Sequence, residues 1–277
     1  MPRWKMSMST LSRITRLNRL PFVWKQMNVQ FQMRAMRLLS FGLIVTQPVI
    51  FSAVGYFLAR AAGRTQIDLM HTIIGSGVMG LWSTLLFTSF YDLRADRREG
   101  TLELLVGSLT SIFSILAVRT FANVLLGSLS FLLSLIVAFL VFGFSPPIGN
   151  LPYILVSLAI LFFCFWCIGL FLAHWPVVSR LSGLFVNYLE LPIGMLTGFM
   201  FPISLLPGWA QWLAVFTPLV WAFNGLSASF QPEADPVILW KNWLTALGIA
   251  SVYLIMTFFM SKKVQDMIRV TGELSSV

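Results

Sequence analysis

From Leu17 to Arg37 apolar residues recur at Leu20, Trp24, Met27, Phe31 and Ala35, running on to Leu38, with Lys25 and Gln32 among the polar groups between them. That spacing of three or four predicts an amphipathic helix on a membrane surface, with Trp24 at headgroup depth. Beyond Leu38 the pattern changes. Polar positions thin out, and the apolar runs approach the roughly 20 residues a bilayer crossing needs. They predict spans over about 38–59, 72–91, 120–144, 151–174, 181–201 and 243–261. Pro48 lies inside the first of these, where neighbouring helices can accommodate it. The expectation is an all-α integral membrane protein: a polar, basic tail and interfacial helix over 1–37, one six-helix domain over 38–261, and a short tail over 262–277.

Residues 209–230, WAQWLAVFTPLVWAFNGLSASF, are apolar enough to suggest a seventh span. Charge decides against it. With the N-terminus inside, six spans put eight Lys/Arg before Leu38, four in 92–119, Arg180, and Lys262, Lys263 and Arg269 on the cytoplasmic side. Only Arg60, Arg64 and Lys241 then fall outside. A seventh span would carry Lys262, Lys263 and Arg269 out, against the positive-inside tendency. Residues 202–230, with Pro202, Pro207, Trp209 and Pro218, are therefore predicted to be a broken, re-entrant or interfacial helical pair dipping in from the outer face. Both termini are placed in the cytoplasm.

Composition agrees with the pattern. The chain is 57% hydrophobic and 10% charged, more apolar surface than a soluble core absorbs. The net charge of +9 is explained by cytoplasmic loops, so no nucleic-acid partner is expected. The basic N-terminus is not promptly followed by an apolar core and a cleavage site, which predicts the first span as an uncleaved insertion signal.

Several motifs match in letters only. GSGVMG at 75–80 has the spacing of a dinucleotide loop but lies in an apolar helix with no preceding strand, so close helix packing is the expectation. Gly194 and Gly198 form a G-x-x-x-G that also suggests a packing face or subunit contact. Cys164 and Cys167 form a C-x-x-C without further ligands nearby and read as small apolar residues. His71 and His174 lack metal-ligand spacing, and no phosphate-binding loop is present. No metal, cofactor or catalytic residue is expected in this chain.

Glu190 is the acid nearest the middle of a predicted span, with Asn187 one turn earlier and Pro192 two residues on. A carboxylate at that depth costs several kcal/mol unless paired, hydrated or protonated. It reads either as a pathway or gating residue or as a helix-packing hydrogen bond. Charge is concentrated elsewhere. Asp92, Arg94, Asp96, Arg97, Arg98, Glu99 and Glu103 crowd the stretch between the second and third spans, around Gly100. Glu99 and Glu103 stand four apart, with Leu102, Leu104 and Leu105 beside them, as on a short helix with one apolar side.

This stretch, RREGTLELLVGS, resembles the E-x-G-T-L-E-x-L signature that follows the second span in ABC transporter permeases of the type-2 exporter class. The run FPISLLPGWAQWLAVFTPLVWAFNGL is similar to the Pro/Trp pattern before the last span of that family. The resemblance implies a permease that pairs with a second copy or a paralogous permease in a bacterial cytoplasmic membrane. It implies two separate ATPase subunits, which would hold the ATP and Mg. Arg97, Arg98, Glu99, Gly100, Thr101, Leu102, Glu103, Leu104 and Leu105 would then form a coupling helix within 92–110. The family often carries Pro soon after the signature; here Leu109 follows Ser108, which leaves the end of that helix open. The competing expectation is a self-contained, proton-coupled secondary transporter using Glu190. The cargo is not legible in the sequence.

Overall fold

The computed structural model describes residues 46, 49–57, 66–98, 111–142, 150–174, 182–200, 202–231 and 234–271. In 66–70, 90–98, 182–187 and 264–271, and at 142, it describes the backbone course alone. The predicted helix over 17–37 and most of the first span lie outside the described residues, although 49–57 is helical. Seven α-helices follow: α1 Gln66–Arg98, α2 Ile112–Phe142, α3 Leu151–Ala173, α4 Ser182–Leu196, α5 Gly208–Val215, α6 Pro218–Ser229 and α7 Pro236–Thr271, with a 3₁₀ turn at Ile203–Leu205. Among the described residues there is no strand.

Among the described residues, length and composition allow four helices to cross a membrane: α1 over His71–Ser89, α2 over Ile112–Val141, α3 over Leu151–Ala173 and α7 over Pro236–Lys263. α1 and α7 run beyond the predicted limits, and α2 starts ahead of its own, for local reasons, whereas α4 ends at Leu196, short of the span predicted over 181–201. After Gly80 no Gly or Pro occurs in α1, and its backbone continues through the charged residues to Arg98. Ser111 receives the Ser114 N–H at 3.3 Å ahead of α2. Asp235 accepts the Val237 N–H at 2.8 Å and caps α7.

α1 is the central helix. It packs on α2, α3, α4 and α6, and α7 closes against α3 and α6. Its His71–Ser89 stretch is almost wholly covered. Trp82, Leu85, Val78, Met79 and Leu81 form the core with Phe165 of α3 and Phe223 of α6. Hydroxyl and amide groups bridge α1 and α2. Thr84 and Ser130 share a hydrogen bond of 3.2 Å, and Asn123 Nδ2 donates to Ser89 Oγ at 3.0 Å. Ser52, in the helical segment 49–57, bonds Ser134 of α2 at 2.5 Å. On the outside, α2 shows Leu129, Leu132, Ile136, Phe139 and Leu140, an apolar surface suited to lipid.

The GSGVMG glycines do the packing work expected of them. A Cβ on Gly75 would fall on the Phe199 carbonyl, and one on Gly77 would stand 2.9 Å from the Phe131 ring. The expectation for Gly194 and Gly198 needs correcting, because they do not form one face. Gly194 receives the Met79 side chain of α1. Gly198 has φ 78° and ends α4: its N–H donates to the Met195 carbonyl at 3.1 Å, and the Phe199 N–H donates to the Gly194 carbonyl at 3.4 Å. These are the two bonds of a Schellman stop, where the left-handed residue is best a glycine.

Candidate functional site

Three features predicted to be functional occupy different parts of this framework. The first is the charged stretch. Asp92, Arg94, Asp96, Arg97 and Arg98 extend α1 rather than belonging to a separate loop helix. The nine residues past Ser89 project α1 about 13 Å at 1.5 Å per residue. Glu99, Gly100, Thr101, Leu102, Glu103, Leu104 and Leu105 lie outside the described residues, between the end of α1 and Ser111.

The second feature is Glu190. It sits on the face of α4 that meets α1, and Ser83 Oγ donates to its Oε1 in a short hydrogen bond. The neighbouring Trp82 Nε1 donates to the Glu190 backbone carbonyl at 3.1 Å. One turn along, Met79 meets Gly194; beyond the Schellman stop, Gly75 meets Phe199. The pairs 75/199, 79/194 and 83/190 descend in step, the signature of two antiparallel helices in register. Glu190 is half-buried, so its carboxylate is bonded into this seam without being sealed from outside. Asn187 lies on α4, with its side chain outside the described residues. Pro192 is accommodated inside α4 and is exposed, as are Tyr188 and Leu191.

The third feature is the segment from Pro202 to Phe230. Its prolines act as starters: Pro202 precedes the 3₁₀ turn, Pro207 precedes α5 and Pro218 opens α6. At the break between α5 and α6 the free carbonyls find local donors. Ala214 O accepts from Thr217 N–H at 3.0 Å and Thr217 Oγ1 at 2.6 Å, and Val215 O accepts from Trp221 Nε1 at 3.0 Å. Irregular backbone at membrane depth requires such satisfaction. Trp209 and Trp212 are exposed, whereas Ala210 and Ala214 pack inward.

Compared with known protein families, the chain matches the model described as ABC-2 type transporter over residues 22–230. The chain belongs to the ABC-2 type transporter family. No curated protein matches it.

As an ABC transporter permease, the protein is a membrane transport component, and the matched region runs from the predicted interfacial helix through α6. It includes the charged stretch, Glu190 and the proline-broken pair. The permease architecture brings Glu190 onto Ser83 and Trp82, which sequence reading did not single out. Nothing in the chain signals a contact between residues 107 and 108 positions apart. The sequence reading weighed His174 only as a metal ligand, whereas in the structure it bonds Ser261 of α7 at 2.5 Å. Among the described residues no cluster of three metal-ligating side chains occurs. Cys164 and Cys167 are buried free thiols on one side of α3.

Proposed function

We propose that this permease is the membrane half of an ATP-driven exporter, working as a dimer with two separate ATPase subunits docked on residues 92–110. The observation that carries the proposal is the unbroken course of α1 from Ser83 at the Glu190 seam to Arg98, at the edge of the coupling signature. A continuous helix transmits a push along its axis. Movement of a docked ATPase would reach the α1–α4 seam about 22 Å away without passing through a hinge. Glu190 would act there as a latch that holds the seam closed and yields as α1 shifts.

In this reading the chain crosses a bacterial cytoplasmic membrane six times with both ends inside. α4, at 15 residues, is about 22 Å long and shorter than the hydrocarbon core of roughly 30 Å. The 3₁₀ turn and the α5–α6 pair would complete the outer side as a re-entrant cap. ATP and Mg would be held by the ATPase subunits. The family does not favour the proton-coupled alternative.

The test is co-purification. Tagged permease is expressed with its cognate ABC ATPase and compared with a Glu99→Arg, Glu103→Arg double variant. Capture of the ATPase by the wild type and its loss in a folded variant is the expected result. Failure of well-folded wild-type protein to retain any ATPase would overturn the reading.

A further inference from the structure

The indole N–H groups divide the tryptophans of this fold into two sets. Trp82, Trp166 and Trp221 donate to the Glu190, Ala117 and Val215 carbonyls, and Trp243 donates to Ser157 Oγ. Trp209 and Trp212 of α5 point outward, 69% and 72% exposed, and among the described residues neither N–H has an acceptor. With Leu213 and Phe216 they stand at intervals of three, four and seven, which makes one face of the helix. All four are exposed, and the Trp212 and Phe216 rings meet at 5.5 Å. The other face carries Ala210 and Ala214, buried as α5 packs on α4 and α6.

A helix on a water-facing surface has the reverse arrangement, with its apolar stripe turned inward. The irregular backbone around α5 also finds its donors within the protein. The Pro207 carbonyl accepts from the Ala210 and Gln211 N–H groups at 2.9 and 3.1 Å, and the Leu206 carbonyl accepts from Gln211 Nε2 at 2.7 Å. At the other end, Thr217 and Trp221 serve the Ala214 and Val215 carbonyls. Such closure suits backbone held in or beside a bilayer. From Leu191 to Pro232 the sequence contains no Asp, Glu, Lys, Arg or His.

We propose that α5 lies along the membrane–water boundary with this face against phospholipid, and that Trp209 and Trp212 donate to headgroup and ester oxygens there. Deep in hydrocarbon, the two indole N–H groups would go without an acceptor. In water, four large apolar side chains would stand uncovered on one face. The boundary layer serves both, because acyl chains cover the rings while phosphate, ester and water oxygens accept from their edges. A second permease copy fits this face poorly. Helices meet in membranes through small residues, and α5 turns its alanines inward and its bulkiest side chains outward. The contact rests on the chain's membrane crossing and not on the proposed ATPase docking at residues 92–110, which a separate experiment tests.

The test is photocrosslinking of the full-length permease in nanodiscs of phosphatidylethanolamine and phosphatidylglycerol. Trp209 and Trp212 are replaced in turn by p-benzoylphenylalanine. Both side chains are exposed, so the fold is expected to be retained, as size-exclusion chromatography checks. After irradiation, intact mass is expected to show a gain of one phospholipid at each position, several-fold above protein without the probe. Ester hydrolysis of the isolated peptide then reads depth. The glycerol phosphate part should stay attached at 209 and 212. A probe at the exposed Leu132, well inside the spanning stretch of α2, should keep a fatty acid instead. A covalent dimer, protein without an adduct, or a fatty acid alone at both 209 and 212 would overturn the proposal.

Discussion

The carbonyl oxygen of Phe199 occupies the place that a Cβ on Gly75 would take. Phe199 is delivered there by the left-handed Gly198 that stops α4, and its ring packs between Phe165 and Phe223. Glycine at 75 therefore sets how closely α1 and the end of α4 approach. In an ordinary helix interior Gly→Ala gains up to about 1 kcal/mol. Here backbone would have to move, and we expect Gly75→Ala to cost about 1–3 kcal/mol instead. Thermal unfolding in detergent checks the sign.

Gly248 provides the opposite case. It lies in α7 with nothing within 4 Å of a built Cβ. Gly248→Ala should stabilise by roughly 0.5–1 kcal/mol through the unfolded chain and helix preference. The same unfolding assay should show the midpoint rising for Gly248→Ala and falling for Gly75→Ala.

Trp243 Nε1 donates to Ser157 Oγ at 2.9 Å, and Ser157 Oγ donates to the Gly225 carbonyl at 3.3 Å, which joins α7, α3 and α6 at one point. Trp243→Phe keeps most of the ring but removes the first bond. A loss of about 1 kcal/mol is expected, with faster exchange of the amides around Ser157.

The Glu190–Ser83 bond predicts an ordered series of variants. Glu190→Gln retains an acceptor for Ser83 and should be mild. Glu190→Ala and Ser83→Ala each break the bond and should resemble one another. With the reconstituted permease–ATPase complex, we expect each alanine variant to change turnover about fivefold, the rate equivalent of roughly 1 kcal/mol. Wild-type turnover in Glu190→Ala would remove the latch from the mechanism.

Cys164 and Cys167 should resist alkylation in the folded protein, because both side chains are buried in the core. A maleimide reagent at neutral pH is expected to label neither thiol until denaturant is added, as read by intact mass. Rapid labelling of native protein would show α3 to be less enclosed.

The helical class and most of the apolar elements were legible because lipid-crossing stretches announce themselves by length. So was the break at Pro218, which Trp221 and Thr217 stabilise locally. Helix ends were less legible. Charged residues such as Arg97 and Arg98 are good helix formers, so the end of a greasy run is not the end of α1. The role of Gly198 depends on a positive φ, and its G-x-x-x-G spacing pointed instead to a shared face with Gly194. The partners of Glu190 and His174 were invisible for another reason. Each is set by the register of two helices distant in the chain, and Ser83 and Ser261 look no different from the other serines.

The central position of α1 also bears on how the protein is made. Of the four helices among the described residues able to cross the bilayer, α1 is the least apolar, and its hydroxyl groups are covered by neighbours. It emerges from the ribosome before α2, whose Ser130 and Ser134 meet Thr84 of α1 and Ser52. Left alone in lipid, α1 would expose those hydroxyls to hydrocarbon. Alone, α1 therefore enters a bilayer less favourably than the strongly apolar α2, and packing against α2 covers part of its polar face.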